Sequence, residues 1–305
     1  MINNYKYKDS VWIDIIAPTK EEVRKTISEY NVHPTIGDEL ITPSYKSRVE
    51  LFSDYIYVIL HFPAFKHSHN GEEVKQEIDF IIGKNFLITA RYDSIDAIDK
   101  FSKIFEVNTI LDHSGKEHVT GFVFFGIVQE IYRSLQNELD YIENQLDKIE
   151  EGIFSGKEKE MVISLSLVSR NLLNFNKSTI FHKEVLESLV EFGKKTFDDH
   201  FVYHVNRVLD EYYKIRHAIQ NNVDSATELR ETNNSLLSTK QNEIMKTLTI
   251  MAFVTFPLTL IASIFSLNTS YLPLASRQNG FWIVMAVMAG AALLMFLFFK
   301  HKKWL

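Results

Sequence analysis

The spacing of hydrophobic positions changes three times along this chain. In residues 1–120, short runs of β-branched and aromatic residues bounded by polar breaks predict strands at 11–16, 49–52, 55–62, 78–82 and 86–90. Helical stretches lie between and after them. Thr19, behind Pro18 and three residues before Glu22, fits a capping box, and Ser94 can open a helix carrying Ile95, Ile98, Phe101 and Ile104. Together these elements predict an α+β domain of α/β/α type. From Gly121 the period lengthens: Phe125, Val128, Ile131, Leu135, Leu139, Ile142 and Leu146 recur every three or four residues. Gly152 and Gly156 break that helix before a return through 161–192, so residues 121–192 are expected as a helical hairpin.

Beyond Gly193 neither Gly nor Pro occurs until Pro257, so residues 194–256 can form one helix of roughly 95 Å at ~1.5 Å per residue. A seam of Val205, Val208, Tyr212, Ile215, Ile219, Ala226, Leu229 and Leu236, interrupted by Asn222 and Asn233, fits helix–helix association. Helices of the same chain could cover it, or symmetric copies in an oligomeric stalk. Continuity into the next segment favours the stalk.

That next segment is apolar. Residues 248–267 and 281–299 carry no charge, and each is long enough to cross a hydrocarbon core of ~30 Å as a helix. Lys240 and Lys246 precede the first, and Lys300, His301, Lys302 and Lys303 follow the second, while the connection 268–280 holds only Arg277. By the positive-inside rule both termini are cytoplasmic and 268–280 is an external loop. The first ten residues lack the apolar core of a signal peptide. The expectation is a multi-pass plasma-membrane protein: a long helix over 193–267, a second span over 281–299 and a basic tail over 300–305.

Composition narrows the chemistry. Among 305 residues, 33 Lys and Arg against 39 Asp and Glu leave a net charge of −6, which disfavours a nucleic-acid partner. The absence of cysteine removes disulfide scaffolds, thiolate nucleophiles and Cys-zinc sites. No glycine-rich phosphate loop, nucleophile elbow or catalytic carboxylate pair is visible, so no enzyme is expected. His200 and His204 have i, i+4 spacing beside Asp198 and Asp199, compatible with a transition-metal site or with ordinary helix histidines. His67-Ser68-His69, next to Asn70-Gly71, reads as a hairpin turn. Arg170, Lys177 and Lys183 read as a solvated helix face.

The first apolar segment has a distinct stripe. Alternating steps of three and four residues give Asn242, Met245, Thr249, Ala252, Phe256, Thr259, Ser263 and Ser266, largely small or polar, whereas other faces carry Ile250, Phe253, Val254, Leu258, Leu260, Ile261, Ile264 and Phe265. Such a stripe serves either helix packing or a pore. With an oligomeric stalk it predicts a central path of hydroxyls and amides. Neutral oxygens do not readily strip a tightly hydrated divalent ion, so the expected passenger keeps water.

The order Asn242-Glu243-Ile244-Met245-Lys246, Leu248-Thr249, Pro257-Leu258-Thr259, Ile261-Ala262, then Asn268 and Pro273 before a second span ending Lys302-Lys303-Trp304-Leu305, resembles the CorA family of divalent-cation transporters. Trp12-Ile13-Asp14, Pro18, Glu21-Glu22, Arg48-Val49-Glu50 and Asn85-Phe86-Leu87-Ile88-Thr89 extend the likeness over nearly the whole chain. The resemblance implies a homopentamer with a cytoplasmic α/β funnel, a stalk helix lining the pore and an outer ring of second membrane helices. It puts Asn242, Met245, Leu248, Ala252, Phe256 and Thr259 on the path, with Ser263 continuing the stripe, and makes Met245 and Leu248 the hydrophobic constriction. The transported or regulatory ion it implies is Mg2+, with Co2+, Ni2+ or Zn2+ as alternatives.

Two departures stand out. The family's Gly-Met-Asn at the outer mouth falls on Ser266-Leu267-Asn268, and its acidic residue after the mouth Pro falls on Leu274, so weaker cation capture is expected. Where magnesium-regulated members carry a stalk Asp, this chain has Arg207, one turn before Asp210-Glu211. A guanidinium there either bridges to a neighbouring carboxylate in place of an ion or is simply solvated. Three functions fit: a divalent-cation channel, a zinc- or proton-coupled relative, or a poorly conducting membrane scaffold.

Overall fold

The computed structural model describes residues 1–63, 75–111, 119–267 and 279–302, with only the backbone described at 75 and 108–111. His67, Ser68, His69, Asn268, Pro273, Leu274, Arg277, Lys303, Trp304 and Leu305 lie outside the described residues. The chain divides into two units, Met1–Arg230 and Glu231–Leu305.

The first unit is built on six strands: β1 (Ile2–Tyr7), β2 (Ser10–Ile16), β3 (Arg48–Leu51), β4 (Tyr55–Pro63), β5 (Lys75–Gly83) and β6 (Phe86–Arg91). Their order is β1-β2-β6-β5-β4-β3, with β2 and β6 parallel and every other pair antiparallel. β4 reads YIYVILHFP and is buried throughout, as a central strand covered on both faces requires. The expectation contains no β1. Its polar sequence INNYKY is held as an edge strand by pairing with β2 and by Tyr5 stacked on Trp12 at 4.6 Å.

One face of the sheet packs α1 (Lys20–Glu29) and α2 (Pro34–Glu39) around Ile15, Val23, Ile36, Leu40, Ile59 and Ile88. The Thr19–Glu22 capping box at α1 is formed in both directions. The other face meets α3 (Asp96–Leu111) and α4 (Val119–Phe154), through Trp12 against Phe101 at 5.6 Å and Phe80 edge-on to Phe124 at 5.1 Å. On that face the buried Arg91 guanidinium bonds Asp14 at 2.8 Å and Asp99 at 2.5 Å.

Gly156, at φ 90°, ends the turn after α4, and the Lys157 N–H returns to the Gly152 carbonyl at 3.0 Å, an αL cap that glycine permits. The return comprises two helices, α5 (Glu158–Thr179) and α6 (His182–Thr196), so the expected hairpin is a three-helix run. Gly193 lies inside α6 and does not break it. The chain breaks instead at Phe197–Asp198, where the Asp198 carboxylate accepts the Phe201 N–H at 3.0 Å and opens α7 (Asp199–Phe265).

His182 ties these layers together. Its Nε2 lies 2.8 Å from the His61 carbonyl, which only accepts, so Nε2 carries the proton and Nδ1 accepts the Tyr132 hydroxyl at 2.9 Å. Burial pushes its pKa down to about 4, against the pull of the His61 carbonyl.

The seam of α7 is also settled for this unit. Phe201, Val205, Val208, Tyr212, Ile215, Ile219 and Ala226 are buried within the single chain. The preference for symmetric copies along this stretch is therefore corrected: the chain's own helices cover it, with Arg216 bonded to Asn176 and Arg230 to Ser169 at 2.5 Å, both on α5.

In the second unit α7 continues to Phe265, and α8 (Gly280–His301) follows. Both are long and apolar enough to cross a membrane, and almost none of either apolar window is buried. Met251, Phe253, Leu260, Ile264, Trp282, Leu293 and Leu294 all point outward. Water does not tolerate so much contiguous apolar surface, and lipid does.

Candidate functional site

The residues expected on the path lie on α7, except Ser266, in the turn directly after it. At ~100° per residue, Asn242, Met245, Leu248, Ala252, Phe256, Thr259, Ser263 and Ser266 fall within an arc of about 120°, spread over roughly 36 Å of helix. Ala252 is half-buried and the rest are exposed, Met245 at 56%, Leu248 at 55% and Phe256 at 73%. Every residue from Ser238 to Thr249 is exposed, including apolar Ile244, Met245 and Leu248.

Hydroxyl orientation determines what this surface offers. Thr249 donates its Oγ1 hydrogen to the Met245 carbonyl at 2.7 Å, and Thr259 donates to the Thr255 carbonyl at 2.8 Å. Each proton is committed to the helix, so the oxygen presents lone pairs outward. That suits the water shell of a cation. Pro257 sits inside α7 and cannot donate to the carbonyl four residues earlier. The helix ends where the Ser266 N–H is shared between the carbonyls of Ala262 at 3.0 Å and Ser263 at 3.2 Å, and Leu267 follows, 57% exposed. Asn268, the third residue of the expected mouth, lies outside the described residues.

The three stalk residues do not converge. The Arg207 guanidinium lies over the Phe125 ring at 4.7 Å and the Tyr203 ring at 5.9 Å. Glu211 pairs with Lys214 at 3.0 Å, and Asp210 is exposed. Arg207 thus sits on an aromatic platform of its own chain, and among the described residues no carboxylate claims its N–H edges. His204 packs among Phe122, Phe125 and Tyr203 at 6.0, 5.6 and 5.6 Å. Among the described residues no group of three or more acidic or histidine side chains is placed to hold a metal ion, so His200 and His204 gain no third ligand.

One cluster escaped the sequence analysis. Glu77 and Asp79, two residues apart on β5, are buried on the α2 face of the sheet. Their period-2 spacing was the available signal, but it equally describes the wet face of a half-exposed strand.

Comparison with known proteins gives a consistent pattern. The family described as "CorA-like Mg2+ transporter protein" matches residues 7–301. The cobalt/magnesium transport protein CorA of Thermotoga maritima is 27% identical over 98% of this chain and 85% of its own length. Its counterpart in Methanocaldococcus jannaschii is also 27% identical, over 97% and 91%. Among solved structures, the complete CorA magnesium transporter of M. jannaschii superposes with a TM-score of 0.84 at 24% identity, covering 99% of this chain and 93% of that one. Full-length CmaX superposes at 0.74 with 15% identity, over 97% and 89%. The soluble α/β domain, long helix and two C-terminal apolar helices are shared features of this fold.

Proposed function

This chain belongs to the CorA family of Mg2+ transporters, and on that premise we propose that it conducts divalent cations along a central path between the α7 helices of a homopentamer. It is a membrane transporter of the Mg2+/divalent-cation class, and it is not an enzyme. Mg2+ is the first candidate ion, with Co2+, Ni2+ and Zn2+ as alternatives. The two apolar helices form a hairpin in the plasma membrane with both termini cytoplasmic, supported by the lysines at 240, 246, 300, 302 and 303.

The observation that carries this reading is the exposure of α7 around its whole circumference from Ser238 to Thr249, followed by the hydroxyl-bearing stripe up to Ser266. Ile244, Met245 and Leu248 lack cover within their own chain, and symmetric copies would provide it. In that assembly Met245 and Leu248 form an apolar ring that excludes water and blocks a hydrated ion while closed. Above it Thr259, Ser263 and Ser266 offer neutral oxygens to the ion's shell, and Asn268 offers its amide carbonyl at the mouth. Arg207, with no carboxylate partner among the described residues, would bridge to a carboxylate of the next copy in place of a regulatory ion.

Purified full-length protein in proteoliposomes should take up at least one of Mg2+, Co2+, Ni2+ and Zn2+, and Asn268→Ala should reduce that uptake severalfold. Absence of uptake for all four ions would overturn conduction. It would favour the scaffold reading, which has the altered Ser266-Leu267 mouth on its side.

A further inference from the structure

The β5 sequence KQEIDFIIG places Glu77, Asp79 and Ile81 on one face, and Ile81 belongs to the core formed with α1 and α2. Asp79 is only 1% exposed and Glu77 only 5%. Strand register sets His61 of β4 beside Glu77, Ile59 beside Asp79, and Arg48 of β3 beside Ile59. On the β6 side Asp79 meets Ala90.

The polar inventory of this pocket is unbalanced. One Glu77 oxygen accepts the Ser44 N–H at 2.7 Å and lies 3.0 Å from His61 Nε2. Its other oxygen, both oxygens of Asp79 and the Tyr57 hydroxyl are buried without a hydrogen-bond partner. Arg48 of β3 pairs with Glu39 of α2 and lies 3.0 Å from Glu50, while its Nε is buried without a hydrogen-bond partner. The remaining titratable group is Tyr92, whose hydroxyl donates to the Glu39 carbonyl at 3.4 Å. An ionised Asp79 would be a buried charge beside the charges of Glu77 and Glu39, with the Tyr57 hydroxyl as its available donor, and proteins relieve such a charge by taking up a proton.

We propose that Asp79 binds a proton in the native protein and shares it with Glu77, and that this pair is a proton-operated latch closing α2 and the β3 edge onto the sheet. The added hydrogen satisfies the unpartnered atoms together. The Asp79 acid O–H donates to the free Glu77 oxygen, and the Asp79 carbonyl oxygen accepts the Tyr57 O–H. Burial chiefly, then the charges of Glu77 and Glu39, hold the Asp79 carboxyl well above the usual carboxylate range, while Tyr57 and Arg48 oppose them. When α2 lifts and water enters, Asp79 releases its proton to solvent, and closure takes one back. The opening constant therefore rises up to tenfold per pH unit, from the unfolded value near ~3.9 to the raised native one. Acid tightens the latch and alkali loosens it.

Hydrogen exchange on the full-length protein in detergent, followed by mass spectrometry over α2 and β3 from pH 6.5 to 9 and corrected for the chemical exchange rate, tests this. Protection in the parent should fall up to tenfold per pH unit. Asp79→Asn, a neutral isostere, should remove that slope and be better protected at high pH. Glu77→Gln, which removes a neighbouring charge, should bring the slope to its plateau at lower pH. Infrared difference spectra at neutral pH should show the carbonyl stretch of a protonated carboxylic acid in the parent, absent from Asp79→Asn. If the Asn variant does not fold, the parent slope, the Glu77→Gln shift and the acid band decide. A flat parent profile, a slope that survives Asp79→Asn, or no acid band at neutral pH would overturn the proposal.

Discussion

Phe201 shows how one side chain sets the start of the long helix. A Cβ built on Gly193 would lie 2.7 Å from its ring, and one on Gly121 would lie 2.9 Å from the opposite edge. The ring fills a slot that both glycines leave open. In an exposed helix interior Gly→Ala stabilises by up to ~1 kcal/mol, but here the ring has no space to yield. Gly193→Ala should instead destabilise by about 1–3 kcal/mol through overpacking, seen as a lower thermal midpoint. His182 supplies a second test. Its native pKa is about 4, below the unfolded value near ~6.5. The unfolded chain therefore gains a proton first as pH falls. Stability from this group is complete above pH ~6.5 and is lost towards pH ~4, on the order of 3 kcal/mol. His182→Gln, which keeps a donor and an acceptor without titrating there, should flatten the dependence of the thermal midpoint on pH in that interval.

At the scale of elements, α7 combines two faces with different tasks. From Phe201 to Ala226 its apolar stripe is buried in its own unit, and from Ser238 to Thr249 nothing of the helix is buried. The change occurs without a break in the helix, so a hydrophobic period alone does not mark it. If Met245 and Leu248 form the closed ring, trimming either to Ala removes apolar bulk from the narrowest point. Resting leak of a permeant divalent ion into proteoliposomes should then rise severalfold for Met245→Ala and Leu248→Ala, with little change for Thr247→Ala, which is exposed on the far side of the helix. Equal leak in all three would place the constriction elsewhere on the helix.

The whole molecule is expected to exist only as an assembly. Native mass spectrometry in mild detergent should show five copies, and a monomer would remove the central path. Regulation belongs to the same scale, because a bridge from Arg207 needs a neighbouring copy. In the chain itself Arg207 rests on Phe125 and Tyr203. With a fixed cation in place of a bound ion, internal Mg2+ should inhibit flux only weakly. Arg207→Asp should restore steep inhibition by supplying an oxygen ligand for a hard cation. Arg207→Ala should loosen the assembly without creating sensitivity. Steep Mg2+ inhibition of the parent would assign sensing to other carboxylates, with Asp210 and Glu211 the first to substitute.

What the sequence determined by itself was local. Five strands, the Thr19–Glu22 cap, the long helix and two membrane-length segments follow from side-chain period, capping chemistry and unbroken apolar length, all properties of neighbours in the chain. Tertiary structure alone decided what each face meets. β1 exists because β2 offers it hydrogen bonds and Trp12 offers Tyr5 a ring, and nothing in INNYKY reports either. Gly193 reads as a helix breaker until Phe201 is placed against it. The seam of α7 reads equally well for a partner copy or for the chain's own helices, which cover it through Ala226. Glu77 and Asp79 read as a wet strand face until Ser44 and the core shared with α1 and α2 are placed over that face. Periodicity fixes which residues share a face; the free energy of a buried acid or a filled slot depends on the element that covers it, and that element is distant in sequence.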